Sequence, residues 1–212
     1  MNIINYADGK KLNIDRKETF RYLGYHFGGS VPDDPELDKM VTELEKKLKE
    51  AVTPRCAYEI YALEVKDDSC VLSSDKQVLI SDKQVLMINS ARLSAHIRGC
   101  RNAILFAATL GPGADMLIRR YTGRSTIKPA ILQAVGAAAI EAFADEVTDI
   151  IRSTPDTADL KMRFSPGYGD FSLEYQNDFF SLLSLEKNLG MSLNSALLMS
   201  PSKSITAVIG VI

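Results

Sequence analysis

Histidine and cysteine are scarce in this chain. Its 212 residues include two histidines, His26 and His96, and three widely separated cysteines, Cys56, Cys70 and Cys100, with no CxxC pair. With so few histidines no nucleophile–histidine–acid triad is evident. Neither zinc nor a cysteine-ligated iron–sulfur cluster finds ligands at the required spacing. An odd number of distant thiols reads as free cysteines in a reducing compartment, the cytoplasm. A positive excess is also missing: 25 Lys and Arg stand against 27 Asp and Glu, a net charge of −2, which argues against a dedicated nucleic-acid binder. The opening MNIINYADGKK lacks the apolar stretch of a signal peptide. The longest apolar run, PAILQAVGAAAIEAFA, is shorter than a bilayer span and carries Gln133 and Glu141, so no membrane association is expected. No dinucleotide fingerprint or phosphate-binding P-loop occurs. What is present is 46% hydrophobic residues, enough for one sizeable core.

The order of elements predicts an α+β fold, mainly an antiparallel mixed sheet flanked by helices. Residues 1–30 are mixed and polar, with Arg21-Tyr22-Leu23-Gly24-Tyr25 the most structured-looking piece. Asp34 can cap a helix, Pro35 suits its first turn, and Leu37, Met40, Val41, Leu44 and Leu48 follow helical spacing to about Val52. Residues 55–65 alternate as a strand. SDKQVL occurs twice, at 74–79 and 81–86, a local duplication in a hairpin or loop. Helices are expected near 90–98, 114–121 and 126–152, the last rich in small residues around Gly136. Strands are expected at 103–110, 160–164 and 203–212, with a helix near 174–184 and a further segment ending at Gly190. The chain divides into an N-terminal helical segment, 1–55, packed on a core of 56–212, one domain overall.

One segment stands out for its chemistry: Arg163-Phe164-Ser165-Pro166-Gly167-Tyr168-Gly169-Asp170. It is a strand end feeding a stiff loop. Pro166 fixes one backbone angle, and the glycines allow close approach of a ligand. Arg163 offers a planar fork for a carboxylate, and Tyr168 a flat face with a hydroxyl. Such a loop suits a flat, zwitterionic small molecule. The plainer alternative is a tight turn, with Arg163 paired to a carboxylate of the protein and Tyr168 packed on the core.

The same stretch resembles the activation domain of cobalamin-dependent methionine synthase. That family carries an Arg-x-x-x-Gly-Tyr element, matched by Arg163, Gly167 and Tyr168, then a Met-x-Pro-x-x-Ser strand entry, matched by Met199, Pro201 and Ser204. HIRGCRNAILFAATLGPGADMLIRR and AIEAFADEV are also similar, so the likeness spans roughly residues 90–212. The resemblance implies S-adenosylmethionine as ligand. Arg163 would hold its methionine carboxylate, and backbone groups around Ser165, Pro166 and Gly167 would meet the adenosyl part. Tyr168 would lie where the ligand meets a corrinoid, and Glu141 near the ligand's amino group. Cobalamin would be held by a partner, a methionine synthase core or other corrinoid protein, because the cobalamin signature Asp-x-His-x-x-Gly is missing here. The implied role is reductive methylation of the stalled corrinoid in trans, with an electron from a flavodoxin- or ferredoxin-like donor. The chain would then be an accessory part of a methyltransferase, with no catalytic side chain or metal of its own.

Two departures matter. The family's N-terminal aromatic and acidic stretch has no evident counterpart, and Asp170 after the loop is either a substitute ligand group or a turn residue. A docking or assembly subunit that no longer binds S-adenosylmethionine is the alternative function, and an unrelated small-molecule enzyme a third. Thr109-Leu110-Gly111-Pro112-Gly113 reads as a strand-to-helix turn before it reads as an anion nest. Arg119, Arg120 and Arg124 read as a solvated helix end, and His96 as a satisfied helix residue.

Overall fold

The computed structural model describes residues 1–25, 34–74 and 85–212. Eight strands and seven α-helices occur among them. In chain order these are β1 (Asn2–Asn5), α1 (Arg16–Tyr22), α2 (Pro35–Ala51), β2 (Arg55–Val65), β3 (Ser69–Ser73), β4 (Val85–Asn89), α3 (Ala91–His96), β5 (Asn102–Thr109), α4 (Gly113–Tyr121), α5 (Ile127–Arg152), α6 (Gln176–Leu182), α7 (Leu185–Leu189), β6 (Ser192–Leu193), β7 (Met199–Ser200) and β8 (Ser204–Val211). The main sheet runs β4-β3-β2-β5-β8, with β1 paired to β2, and its described ladders are antiparallel. The expected α+β class and antiparallel sheet are therefore what the chain forms.

At β5 and β8 both faces of the sheet are covered. Ile104, Phe106 and Ala108 of β5 pack with Ile209 and Val211 of β8 against α1, α2, α4 and α5. Ala103, Leu105 and Ala107 pack with Val208 on the opposite face, under α3, α6 and α7. This double burial explains why β5 reads as a continuous apolar run rather than an alternating one. A buried hydrogen bond from Thr206 Oγ1 to Gln176 Oε1, 2.9 Å, ties α6 to β8.

Helix α2 starts as its sequence directs. Asp34 accepts from the Glu36 and Leu37 amides at 3.1 and 3.0 Å, and Pro35 opens the first turn. Such a cap stabilises by about 1 kcal/mol. Leu37, Val41, Leu44 and Leu48 form the buried stripe. Helix α5 is long and apolar enough to cross a membrane by length and composition, the one such helix among the described residues, but 56% of its apolar window is buried inside the protein. Its Gly136 has a packing reason: a side chain there would meet the Lys203 stem, 3.0 Å away at Cε, while Lys203 Nζ donates to the Gln133 carbonyl.

Several expectations need correction. The N-terminal segment supplies a strand as well as helices: β1 pairs with the first residues of β2, Asn2 opposite Tyr58. Arg21 and Tyr22 end helix α1. The expected 160–164 strand makes only two isolated bridges to β8, Leu160 to Val211 and Phe164 to Val208. The 174–184 helix divides into a 3₁₀ turn, Leu173–Tyr175, and the shorter α6. Strands β3 and β4 pair across the SDKQVL copies, which lie outside the described residues except for Ser74, Val85 and Leu86. His26 lies outside them too.

The Thr109–Gly113 segment is a packed turn. An added Cβ at Gly113 would sit 1.8 Å from the Ala51 carbonyl oxygen, so α4 begins in backbone contact with the end of α2. A Gly113→Ala substitution is therefore expected to destabilise by about 1–3 kcal/mol through overpacking. Thermal unfolding should show a drop in Tm of at least about 2 °C for a chain of this size.

Candidate functional site

Segment 160–164 runs along the outer edge of β8 with one residue too many. Leu160 faces Val211 and Phe164 faces Val208, so four steps on this segment span three on β8. An extra residue in a paired strand re-aims the side chains that follow, because alternation slips by one. Leu160 accordingly packs with the α5-side core, whereas Phe164 packs with the α3/α6-side core. Arg163 is left pointing toward α5.

There its guanidinium meets three partners spaced along one face of α5. Arg163 Nη2 donates to Glu141 Oε2 at 2.9 Å. Nη1 lies 2.8 Å from Asp145 Oδ1 and donates to Thr148 Oγ1 at 3.2 Å. Positions 141, 145 and 148 fall on one side of a helix, which is what lets one guanidinium reach all three.

The loop after Arg163 is held by its own backbone. The Gly167 amide donates to the Phe171 carbonyl at 2.7 Å, and the Phe171 amide to the Tyr168 carbonyl at 3.0 Å. Gly167 and Gly169 have φ of 96° and 61°, conformations that side chains resist. Phe171, 1% exposed, anchors the loop in the core. Tyr168 does not pack on the core, as the plainer sequence reading would have it; it is 67% exposed. Arg163 does pair with carboxylates of the protein, as that same reading expects.

Two adjoining cavities share Glu141, Asp145 and Tyr168 as walls. The smaller, about 390 Å³, lies against Arg163, Phe164 and Ser165. The larger, about 990 Å³, runs along α5 toward the N-terminal segment, where Asn13, Asp15, Glu18 and Tyr22 line it. Both volumes fall within the roughly 300–1,000 Å³ typical of small-molecule sites. Ala138 and Ala142 of α5 line the larger cavity, where bulkier side chains would take up its space. The cleft thus gathers Arg163, Ser165, Tyr168 and Glu141 from the expected set. Pro166 and Gly167 lie in the loop that carries them.

Sequence reasoning missed two groups. Asp15, Glu18 and Tyr22 bring an acidic and aromatic element from the N-terminus into the same cleft. No local pattern signals this, because it depends on α1 packing against α5. The other group braces the loop. Asp170 accepts from Ser90 Oγ at 2.5 Å and from the Ala91 amide at 2.8 Å, capping α3 from a distance. His96 Nε2 donates to the Met162 carbonyl at 2.8 Å. Asp170 thus clasps the loop to α3. Ser90, bonded to the Leu93 amide at 3.0 Å, is the local cap it reinforces.

Elsewhere the chemistry is quiet. The three cysteines are free and buried, and burial pushes the Cys56 and Cys70 thiols up, away from reactivity. Tyr6 donates to Glu146 Oε1 at 2.6 Å, and burial together with that carboxylate raises its hydroxyl pKa to about 12. No cluster of ligating side chains suited to a metal ion occurs among the described residues.

No family model matches the chain, and no curated protein does. Among solved structures, a MetH reactivation domain crystallised with AdoHcy bound superposes with a TM-score of 0.75 at 16% identity, covering 100% of this chain and 78% of that one. The chain has the fold of a MetH reactivation domain. In that reactivation fold, the likeness covers the whole chain, including the first 90 residues that carry little sequence resemblance.

The Asp170 clasp has a definite pH signature. The Ser90 hydroxyl first, then the α3 amides, hold its carboxyl below the ordinary carboxylate range. Its contribution to stability is therefore fully present above the unfolded value, about pH 4, and is lost as pH falls through the lower folded value. An Asp170→Asn variant should melt below the wild type by a constant interval from about pH 5 to 7. That interval should close as the pH drops below about 4, read by thermal unfolding across the series.

Proposed function

We propose that this chain binds S-adenosylmethionine in the Arg163 cleft and presents it to a separate corrinoid protein for reductive methylation. The observation that carries the reading is the placement of Arg163 between an open cavity and the carboxylates of α5, in a fold shared with a domain crystallised with AdoHcy. The residues fit the ligand's chemistry. Arg163 presents donors for the amino-acid carboxylate, and Glu141 an acceptor for the ammonium group. Asp15 and Glu146 on the wall of the larger cavity offer negative charge to a ligand whose sulfonium adds a positive one, whereas Glu18 and Asp149 are held by Arg21 and Arg152.

The ligand supplies a methyl group on a sulfonium, ready for transfer to a reduced cobalt centre held by the partner. This chain's task is then positional. The clasped loop fixes Arg163, Ser165 and Tyr168 relative to α5, so that the bound methyl donor is held in one orientation toward its acceptor. Met162 and Tyr168, 80% and 67% exposed, rim the smaller cavity and offer an apolar lip to a corrinoid-bearing partner. An electron donor of flavodoxin or ferredoxin type, a methionine synthase core as partner, and a cytoplasmic setting belong to this same proposal.

One observation favours the docking or assembly alternative. Arg163 is already engaged by two carboxylates of its own chain. Calorimetric titration with S-adenosylmethionine separates the two readings. Saturable binding is expected, weakened about 10- to 100-fold in Arg163→Ala, the loss of a charge-assisted hydrogen bond. An Ala142→Leu variant, which fills the larger cavity and leaves Arg163 intact, should also bind more weakly. Absence of binding by the wild type, with a corrinoid partner present or not, would overturn the S-adenosylmethionine reading and favour docking instead.

A further inference from the structure

The three partners of Arg163 are not equivalent. Thr148 is buried, and its hydroxyl donates to the Ala144 carbonyl at 2.7 Å, so the α5 backbone fixes its position. The Glu141 side chain is 45% exposed and that of Asp145 69%. Asp145 therefore has the most solvent access and the least desolvation to recover. A guanidinium carries one positive charge at any physiological pH. Glu141 and Asp145 bring two negative charges to it, so the cluster holds one carboxylate more than it neutralises. Nη1 has two N–H groups. Thr148 accepts from one of them, whereas Asp145 Oδ1 meets Nη1 as an ion pair at 2.8 Å from the solvent side, where the smaller cavity opens.

From this asymmetry we infer that Asp145 is a built-in stand-in for the ligand's carboxylate and so determines which ligands the site accepts. In the free protein it occupies the Arg163 Nη1 position. A ligand carrying an α-amino-acid tail displaces it, because its carboxylate aligns on an N–H of Nη1, which Asp145 meets only as an ion pair, while its ammonium group meets Glu141. Thr148 and Glu141 keep the guanidinium oriented during the exchange, and Asp145 returns to water at little cost because it is mostly solvated already. A ligand without the carboxylate leaves Asp145 in place and gains nothing from Arg163. The inference rests on the cleft being the S-adenosylmethionine site proposed above.

The test compares wild type and Asp145→Asn by calorimetry with two probes. AdoHcy carries the amino-acid tail and no net charge, so the long-range field of Asp145 acts on it weakly. 5′-Methylthioadenosine lacks the tail. Asparagine keeps the size of aspartate and removes the charge, and the exposure of the site means the variant should fold with an unchanged Tm. Asp145→Asn is expected to bind AdoHcy about two- to fivefold more tightly, the range expected for releasing an exposed ion pair, with 5′-methylthioadenosine affinity unchanged. The gain should shrink as salt is raised. Unchanged or weaker AdoHcy binding by the variant, or an equal gain for both probes, would overturn the role of Asp145 while leaving the site reading intact. Failure of both proteins to bind AdoHcy would overturn the two together.

Discussion

Strands β5 and β8 are buried on both faces, and that burial dictates where polar chemistry can sit. Every side chain from Ala103 to Thr109 is sealed from solvent, and so are Ala207 to Ile209. A charge placed in those strands would face a large desolvation penalty with no partner in reach. Ionic groups are consequently kept out of those stretches of β5 and β8 and admitted beside β8 at the sheet edge. The segment that reaches that edge carries Arg163, and its extra residue turns the guanidinium toward α5.

Helix α5 meets two demands at once. Its buried side fills the space between the sheet and α1, α2 and α4 with Ile131, Val135, Phe143 and Val147. Its other side combines small residues with acids: Ala138 and Ala142 at the wall of a cavity, Glu141 and Asp145 on Arg163. Thr148 stands between the two regimes, buried yet hydrogen-bonded to both the helix and the guanidinium. The clasp of Asp170 on α3 works from the opposite side of the loop. Arg163 and Tyr168 are thus set by two anchored elements rather than by the loop alone, which is the preorganisation a ligand site requires.

Much of this was legible beforehand, and the reasons are local. Asp34 and Pro35 mark the start of α2 by chemistry that acts within one turn, and the β5 run declares a strand covered on both faces. Arg163, Gly167 and Tyr168 stand together because a turn with positive backbone angles and a fork-shaped cation share eight consecutive residues. The errors fall where distant contacts decide. Strand β1 is short and polar, and pairs with β2 only because 55–58 leaves an edge open to it. Segment 160–164 has strand-like composition, but the slip against β8 breaks its ladder.

By itself the sequence determined most element types, the antiparallel α+β class and the position of the glycine-rich loop after Arg163, because caps, periodicity and turn residues act over a few positions. Only the tertiary structure decided that Glu141, Asp145 and Thr148 converge on Arg163, that Asp170 is a clasp, and that Asp15, Glu18 and Tyr22 reach the same cleft. Those groups lie tens to more than a hundred residues apart along the chain. Their meeting depends on how α1 and α5 pack against the sheet and on a one-residue slip at its edge, neither of which leaves a mark in any short stretch of sequence.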